Sequence, residues 1–338
     1  MSVQPAVAAE LPTPAEFGRA FTALEKEIGK VVVGHRDALR QILIAFFAGG
    51  HVLIEGVPGI GKTLIVRSLG EALDLSFSRV QFTIDLMPAD VTGTRILEET
   101  ESGRRSMVFV PGPLFTHVML ADEINRSTPK TQSALLEAMQ ELQVTIAGTT
   151  HLLPSPFFVL ATLNPIEMEG TYPLPEAQLD RFLFKVPLAY PAVDEIREIV
   201  RETTGALTPK IQPVFDVEPA VRVNQLRRLV REVIVAPEIE GYVARLVRES
   251  IPDVTENERV KSYVSFGSSP RGAQALVLGA KVVALLNGRV NVAFSDVEAI
   301  APVALSHRLV LNFAAETEGV TPRSIVDHLI EVARKWQR

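Results

Sequence analysis

Apolar residues along this chain follow two different patterns. Up to about residue 190, short and nearly continuous apolar runs recur, separated by stretches with helical apolar spacing. The runs 51–55, 79–83, 118–121 and 157–162 read as buried strands, and 183–186 can supply a fifth. Strands that are apolar throughout are buried on both faces. That predicts an α/β fold, a parallel five-stranded sheet with helices on both sides. Ahead of the first strand, Thr13-Pro14-Ala15-Glu16 opens a helix that runs to about Ile28, with Thr13 as its cap. A second helix is expected over 36–48. Residues 1–12, rich in Ala and Pro, are expected to be disordered.

Beyond Tyr190-Pro191 the pattern is helical, with no convincing strand. Leu226, Leu229, Val230 and Val233 share one face of a first helix. Ile239, Val243, Leu246 and Val247 do so in a second, and Ala273, Leu276, Ala280 and Val283 in a third. Ser295-Asp296 and Thr321-Pro322 carry the capping residues of two more. An α/β domain over 13–190 is therefore expected to precede an all-α domain over 191–338. Two insertions interrupt the first domain. In 84–116, Arg95-Ile96-Leu97 and Met107-Val108-Phe109 flank a polar tip at 98–106, which predicts a hairpin. A second hairpin is predicted at 144–153. Ordered insertions of this length are more often functional than not.

The stretch Gly56-Val57-Pro58-Gly59-Ile60-Gly61-Lys62-Thr63 joins the first strand to a helix. Strand, glycine-rich turn, lysine, hydroxyl and helix come in the order that a phosphate-binding loop requires. Glycines let successive N–H groups converge on a phosphate, and the helix N-terminus adds its dipole. Lys62 supplies a positive charge and Thr63 a hydroxyl ligand for Mg²⁺. Asp122 and Glu123 end an apolar strand sixty residues after Lys62. In a phosphate-loop protein the first acid holds the metal and the second activates the attacking water. Asn164, before Pro165, ends the next strand. An Asn-Pro turn is the simpler reading of that pair alone. Its position one strand after the acids favours a role at the γ-phosphate.

Composition narrows the class. The 338 residues are 47% hydrophobic and 22% charged, as in soluble globular proteins, and suffice for two or three domains. With 40 acidic against 34 basic side chains, the net charge of −6 argues against general nucleic-acid binding. No cysteine is present, so thiolate catalysis, zinc–thiolate sites and disulfides are excluded. No signal-peptide pattern appears, and the most apolar stretch is far short of the ~20 residues that cross a bilayer. The cytoplasm is the expected location. The histidines show no metal-ligand spacing, and His51, on the strand before the loop, is expected to be structural.

Together, Gly56–Thr63, Asp122-Glu123 and Asn164 resemble the Walker A, Walker B and sensor-1 elements of an AAA+ ATPase. Asp122-Glu123-Ile124-Asn125-Arg126, Ala161-Thr162-Leu163-Asn164-Pro165, Asp85-Leu86-Met87-Pro88-Ala89-Asp90 and the string from Glu169 through Pro173 to Phe182 resemble the MoxR family in particular. The similarity covers about residues 15–335. It places the chain in the helix-2-insert clade, related to magnesium chelatase ATPase subunits. It implies an AAA+ core with a helical lid, and ATP and Mg²⁺ as ligands. The expected nucleotide contacts are Val33, Gly34 and His35, with Gly56, Val57, Pro58, Gly59, Ile60, Gly61, Lys62, Thr63 and Leu64. Family members usually carry Gln where His35 stands. Thr63 and Asp122 are the expected metal ligands. Expected to be catalytic are Lys62, Glu123, Asn164, Arg181 as an arginine finger from a neighbouring subunit, and Arg271 as the sensor-2 arginine, in cis or in trans.

The resemblance further implies a ring, hexameric in relatives, that uses ATP hydrolysis to remodel or activate a protein client, often one with a von Willebrand factor A domain. In related hexamers the two insertions face the central pore or the bound partner. Three alternatives stay open at the level of sequence. A chelatase subunit would need a porphyrin-binding partner. A DNA-stimulated motor would need basic hairpins, yet only Arg95, Arg104 and Arg105 lie in the first and none in the second. A non-hydrolysing scaffold would not need Asp122, Glu123, Asn164 and Arg181 together.

Overall fold

The computed structural model describes residues 11–99, 105–164, 171–204 and 209–337. The expectations for residues 1–10, for positions 100–104 of the hairpin tip, Arg104 among them, and for Pro165 and Glu169 lie outside these. The chain begins with α1 (Pro14–Ile28), capped as its sequence demands: the Thr13 hydroxyl accepts from the Glu16 N–H and the Glu16 carboxylate accepts from the Thr13 N–H. Then come α2 (Arg36–Ala48), β1 (Val52–Glu55) and α3 (Lys62–Leu73). After them lie β2 (Phe77–Gln81), α4 (Pro88–Thr92), β3 (Gly93–Glu99), β4 (Arg105–Pro111), β5 (Val118–Asp122) and α5 (Pro129–Glu141). β6 (Gln143–Ile146), β7 (Thr149–Leu152), β8 (Phe158–Leu163), α6 (Glu176–Leu179) and β9 (Phe184–Pro187) complete the first half.

The main sheet is parallel throughout, in the order β2-β5-β8-β1-β9. All five expected strands are in it, the second two residues earlier than 79–83 because Phe77 pairs with Val118. Both insertions form hairpins, β3 with β4 and β6 with β7. They touch through Phe109 and His151, whose stacked rings lie 3.9 Å apart.

The second half contains α7 (Val193–Thr204), α8 (Pro219–Glu232), α9 (Pro237–Glu249), α10 (Glu258–Tyr263), β10 (Val264–Phe266) and α11 (Pro270–Leu286). It ends with α12 (Phe294–Leu305), β11 (Val310–Leu311), α13 (Phe313–Thr317) and α14 (Pro322–Ala333). Two expectations are corrected here. The region is not free of strands, since β10 and β11 pair antiparallel; at three and two residues they are too short to leave a periodic signal. Nor do Ser295-Asp296 cap a helix from outside it. α12 starts at Phe294, and the Asp296 carboxylate, inside the first turn, accepts from the Ala293 N–H at 2.8 Å.

One apolar core runs from α1, α2 and β1 into α8, α9, α11, α12 and α14, so the helical half is packed onto one face of the sheet rather than tethered. α11 is its axis. Gly279 there faces the Phe184 ring of β9, and a Cβ at that position would sit 2.8 Å from it. A second core, around Leu53, Phe82, Leu135 and Phe182, fills the opposite face.

Candidate functional site

In a parallel sheet the C-terminal ends of neighbouring strands share one edge. The register pairs Glu55 with Leu163 and Ala121 with Ala161, which gathers the loop 56–61, the pair Asp122-Glu123 and Asn164 at that edge. The loop turns through left-handed backbone at Gly59 (φ 82°) and Gly61 (φ 90°), where any side chain would be strained. Lys62 opens α3, is buried, and donates from Nζ to the Gly56 carbonyl at 2.7 Å. Burial lowers its pKa, and the charges of Asp122 and Glu123 oppose that shift.

The acids are held firmly. Asp122 Oδ2 accepts from Arg79 Nη2 at 2.7 Å and Nε at 3.2 Å, and Oδ1 accepts from the Thr162 hydroxyl at 2.7 Å. The same hydroxyl accepts from the Glu123 N–H at 2.8 Å. Glu123 has φ 55°, and its Oε2 accepts from Gln81 Nε2 at 2.7 Å and Arg126 Nη1 at 3.2 Å. Asn164 is buried immediately after β8. Sequence reasoning missed Arg79, Gln81, Thr162 and Arg126 as partners of the acids. Arg79 and Gln81 are two residues apart on one strand and so share a face, a signal present in the sequence once the strand is placed beside β5.

Beside the loop lies a cavity of about 380 Å³ walled by Val31–Val33, His35, Pro58–Gly61 and Leu64, and closed by Tyr190, Pro191 and Ile199. The last three were missed as well, since nothing in the sequence puts α7 over the loop. His35 Nε2 is buried there without a hydrogen-bond partner. Gly34 lines an adjoining cavity of about 430 Å³ that it shares with Val32 and Val33. An apolar slot of this size with one unsatisfied imidazole nitrogen, opening onto a glycine loop, suits a purine ring with its phosphates on the helix N-terminus. Among the described residues no cluster of three or more His, Asp or Glu exists to hold a metal unaided. Thr63 and Asp122 offer oxygens only, which fits a hard cation that takes its remaining ligands from phosphates and water.

Arg181 and Arg271 are not brought to this edge. They line a pocket of about 200 Å³ with Gly49, Gly50, His51, Gln140, Asp180 and Arg308. Gly50 precedes β1 and Asp180 precedes β9, so this pocket lies at the N-terminal edge of the sheet. β1 alone, four residues at ~3.3 Å each, separates the edges by about 13 Å. Arg271 Nη2 donates to Gln140 Oε1 at 3.1 Å. The Arg181 backbone N–H donates to the Gln178 carbonyl at 3.2 Å, and its side chain makes no hydrogen bond or ion pair with a described residue. His51 is structural, as expected: its Nδ1 accepts from the Val159 N–H and its Nε2 meets the Met139 carbonyl, both at 3.0 Å.

Comparison with known proteins agrees with this architecture. Residues 51–184 match the family described as "ATPase family associated with various cellular activities (AAA)", and residues 256–329 match the AAA lid domain. The chain is 42% identical to the uncharacterised protein YeaC of Bacillus subtilis, over 91% of this chain and 92% of that one. It is 40% identical to the chaperone MoxR1 of Mycobacterium tuberculosis, over 90% and 79% respectively, and 34% identical to the protein MoxR of Methylorubrum extorquens, over 87% and 88%. The crystal structure of a candidate ATPase from Cytophaga hutchinsonii superposes with a TM-score of 0.85 at 39% identity, covering 94% of this chain and 95% of the other. The phosphate loop, the acids after β5, the parallel sheet and the helical lid thus lie within a likeness that extends along nearly the whole length, and the chain belongs to the MoxR family of AAA+ ATPases.

Proposed function

We propose that this ATPase works as a ring, built on the hexameric plan of its clade, in which each nucleotide site is completed by the next subunit. The observation that carries this is the separation of Arg181 and Arg271 from Lys62 and Glu123 by the depth of the sheet. A side chain cannot cross that distance, so the arginines serve another copy's phosphates.

ATP lies with its base in the cavity beside His35 and Leu64 and its phosphates on the loop 56–61 and Lys62. Thr63 and Asp122 would hold Mg²⁺, which would supply positive charge against the phosphates. Glu123 takes the proton of the attacking water, and Asn164 orients that water against the γ-phosphate. The neighbour's Arg181 and Arg271 stabilise charge on the transferring phosphoryl group. An arginine in that role contributes ~10³–10⁵ in rate, on the order of 4–7 kcal/mol. Hydrolysis is thereby contingent on assembly.

The work done is remodelling or activation of a protein client, in keeping with the name chaperone carried by the M. tuberculosis relative. The hairpin β3–β4 supports this reading: Ile96 and Val108 on one face and Leu97 and Met107 on the other are exposed. Exposed apolar side chains on both faces of a two-stranded ribbon suit a protein surface better than a nucleic-acid backbone. A client with a von Willebrand factor A domain is the family's precedent. No described helix is long and apolar enough to cross a membrane.

The test is complementation. Lys62→Ala abolishes nucleotide binding, and Arg181→Ala retains it but loses hydrolysis. Mixing the two inactive proteins restores ATPase activity, because the Lys62→Ala subunit still presents Arg181 to an intact loop. No recovery in mixed rings, or full activity of Arg181→Ala alone, overturns the reading.

A further inference from the structure

The arginine pocket is charged out of balance. Its lining carries Arg181, Arg271 and Arg308 against a single carboxylate, Asp180. That carboxylate is fully engaged by the lid. Its Oδ1 accepts from Arg308 Nε at 2.9 Å and its Oδ2 from the Ser269 hydroxyl at 2.8 Å. The Ser269 hydroxyl also caps α11, accepting from the Arg271 N–H at 3.1 Å.

Arg308 does more than pair with Asp180. Its side chain is 2% exposed and all five of its N–H groups are used. Nη2 donates to the carbonyls of Asp180 at 3.1 Å and Phe182 at 2.7 Å, which flank Arg181 on either side. Nη1 donates to the Leu183 carbonyl at 3.1 Å and to the Ala304 carbonyl near the end of α12. One buried guanidinium from the lid therefore fixes the backbone on both sides of Arg181, whose own side chain is bound to none of the described residues.

We infer that Asp180, Ser269 and Arg308 form a clamp that sets Arg181 and Arg271 at a fixed spacing, so that the two arginines act on the neighbouring subunit's phosphates as one unit. The three are positioning residues and touch no substrate. Each Asp180 oxygen has its own part: Oδ1 holds the lid residue that pins Arg181, and Oδ2 holds the cap from which Arg271 springs. A movement of the lid that strains this contact shifts both arginines together, which links lid position to catalysis in the next subunit. The inference rests on the proposed action of the arginines in trans.

Its test uses two mild variants of the full chain, Asp180→Asn and Ser269→Ala, because replacing Arg308 leaves several acceptors unpaired and risks the fold. Both variants are expected to bind a fluorescent ATP analogue within about twofold of wild type, since their own phosphate loops lie at the other edge of the sheet. Their kcat is expected to fall at least about tenfold for Asp180→Asn and about threefold for Ser269→Ala. Mixing Asp180→Asn with Lys62→Ala subunits restores turnover, as intact clamps then face intact loops. Wild-type kcat in both variants, or kcat and nucleotide affinity falling together without rescue by mixing, overturns the clamp. If Arg181→Ala itself keeps full activity, the trans reading fails instead, and the two failures are told apart.

Discussion

Gln81 on the edge strand β2 donates from Nε2 to Oε2 of Glu123 at 2.7 Å, across a sheet position rather than along the chain. Arg126 approaches the same oxygen at 3.2 Å. The two donors fix the carboxylate's orientation and, on the proposed mechanism, leave Oε1 as the oxygen that receives a proton. Gln81→Ala is expected to lower kcat about three- to tenfold, a fraction of what a positioned base contributes. Nucleotide affinity stays at the wild-type level. Steady-state ATPase measurements beside a binding titration check this; a shift in affinity with unchanged kcat contradicts it.

Glu123→Gln removes the proposed proton acceptor and keeps the side chain's shape. Turnover is expected to fall by ~10²–10⁴, while ATP binding persists and bound ATP accumulates. Phosphate release in a single-turnover experiment measures it. Ordinary release would mean that another group serves as the base.

His51 gives the protein a pH-dependent stability. Its Nδ1 accepts from the Val159 N–H, so the ring is neutral with its proton on Nε2, toward the Met139 carbonyl. A second proton would face a donor inside a buried site, and burial above all pushes the pKa from 6.5 down to about 4. The folded pKa lies below the unfolded one. The unfolded chain therefore takes up the proton first as pH falls, and stability is lost from about pH 6.5 downward until the folded ring also protonates near 4. This contribution amounts to about 2 kcal/mol between about pH 7.5 and about pH 5. Urea titrations at the two pH values test it, with His51→Gln as control. Parallel pH dependence in the two proteins would rule out His51 as the source.

Arg227 on α8 lies over the Phe46 ring, 4.5 Å from its centroid. Its Nε and Nη2 are buried with no hydrogen-bond partner, and burial lowers its pKa to about 9. The cation–π contact contributes at most ~2 kcal/mol, whereas desolvating an unpaired charge costs several. Arg227→Met keeps the contact on Phe46 and removes the unmatched donors. Stability is expected to rise by about 1 kcal/mol, read as a higher denaturation midpoint at unchanged slope. A fall of similar size would show that the guanidinium is a net gain where it stands.

The sequence alone determined the loop 56–63, the acids 122 and 123, the asparagine 164 and the parallel sheet that gathers them. Each of these is local: a strand end, a turn or a helix start carries its own residue types and spacing. Parallel pairing then places strand C-termini on one edge without further information. What the tertiary structure decided are contacts between residues far apart in the chain. Arg79 with Asp122, Gln81 with Glu123, and Arg308 with Asp180 span 43, 42 and 128 positions. No periodicity encodes such pairs, because a single long side chain can reach any acceptor that the fold brings near. The same holds for Tyr190, Pro191 and Ile199, which close the cavity only because α7 returns across the loop. For Arg181 the sequence supplied the residue, and parallel pairing of β9 with β1 put it at the far edge from its own phosphate loop, beyond the reach of a side chain; the packing of the lid added Arg308, which holds the backbone on either side of it.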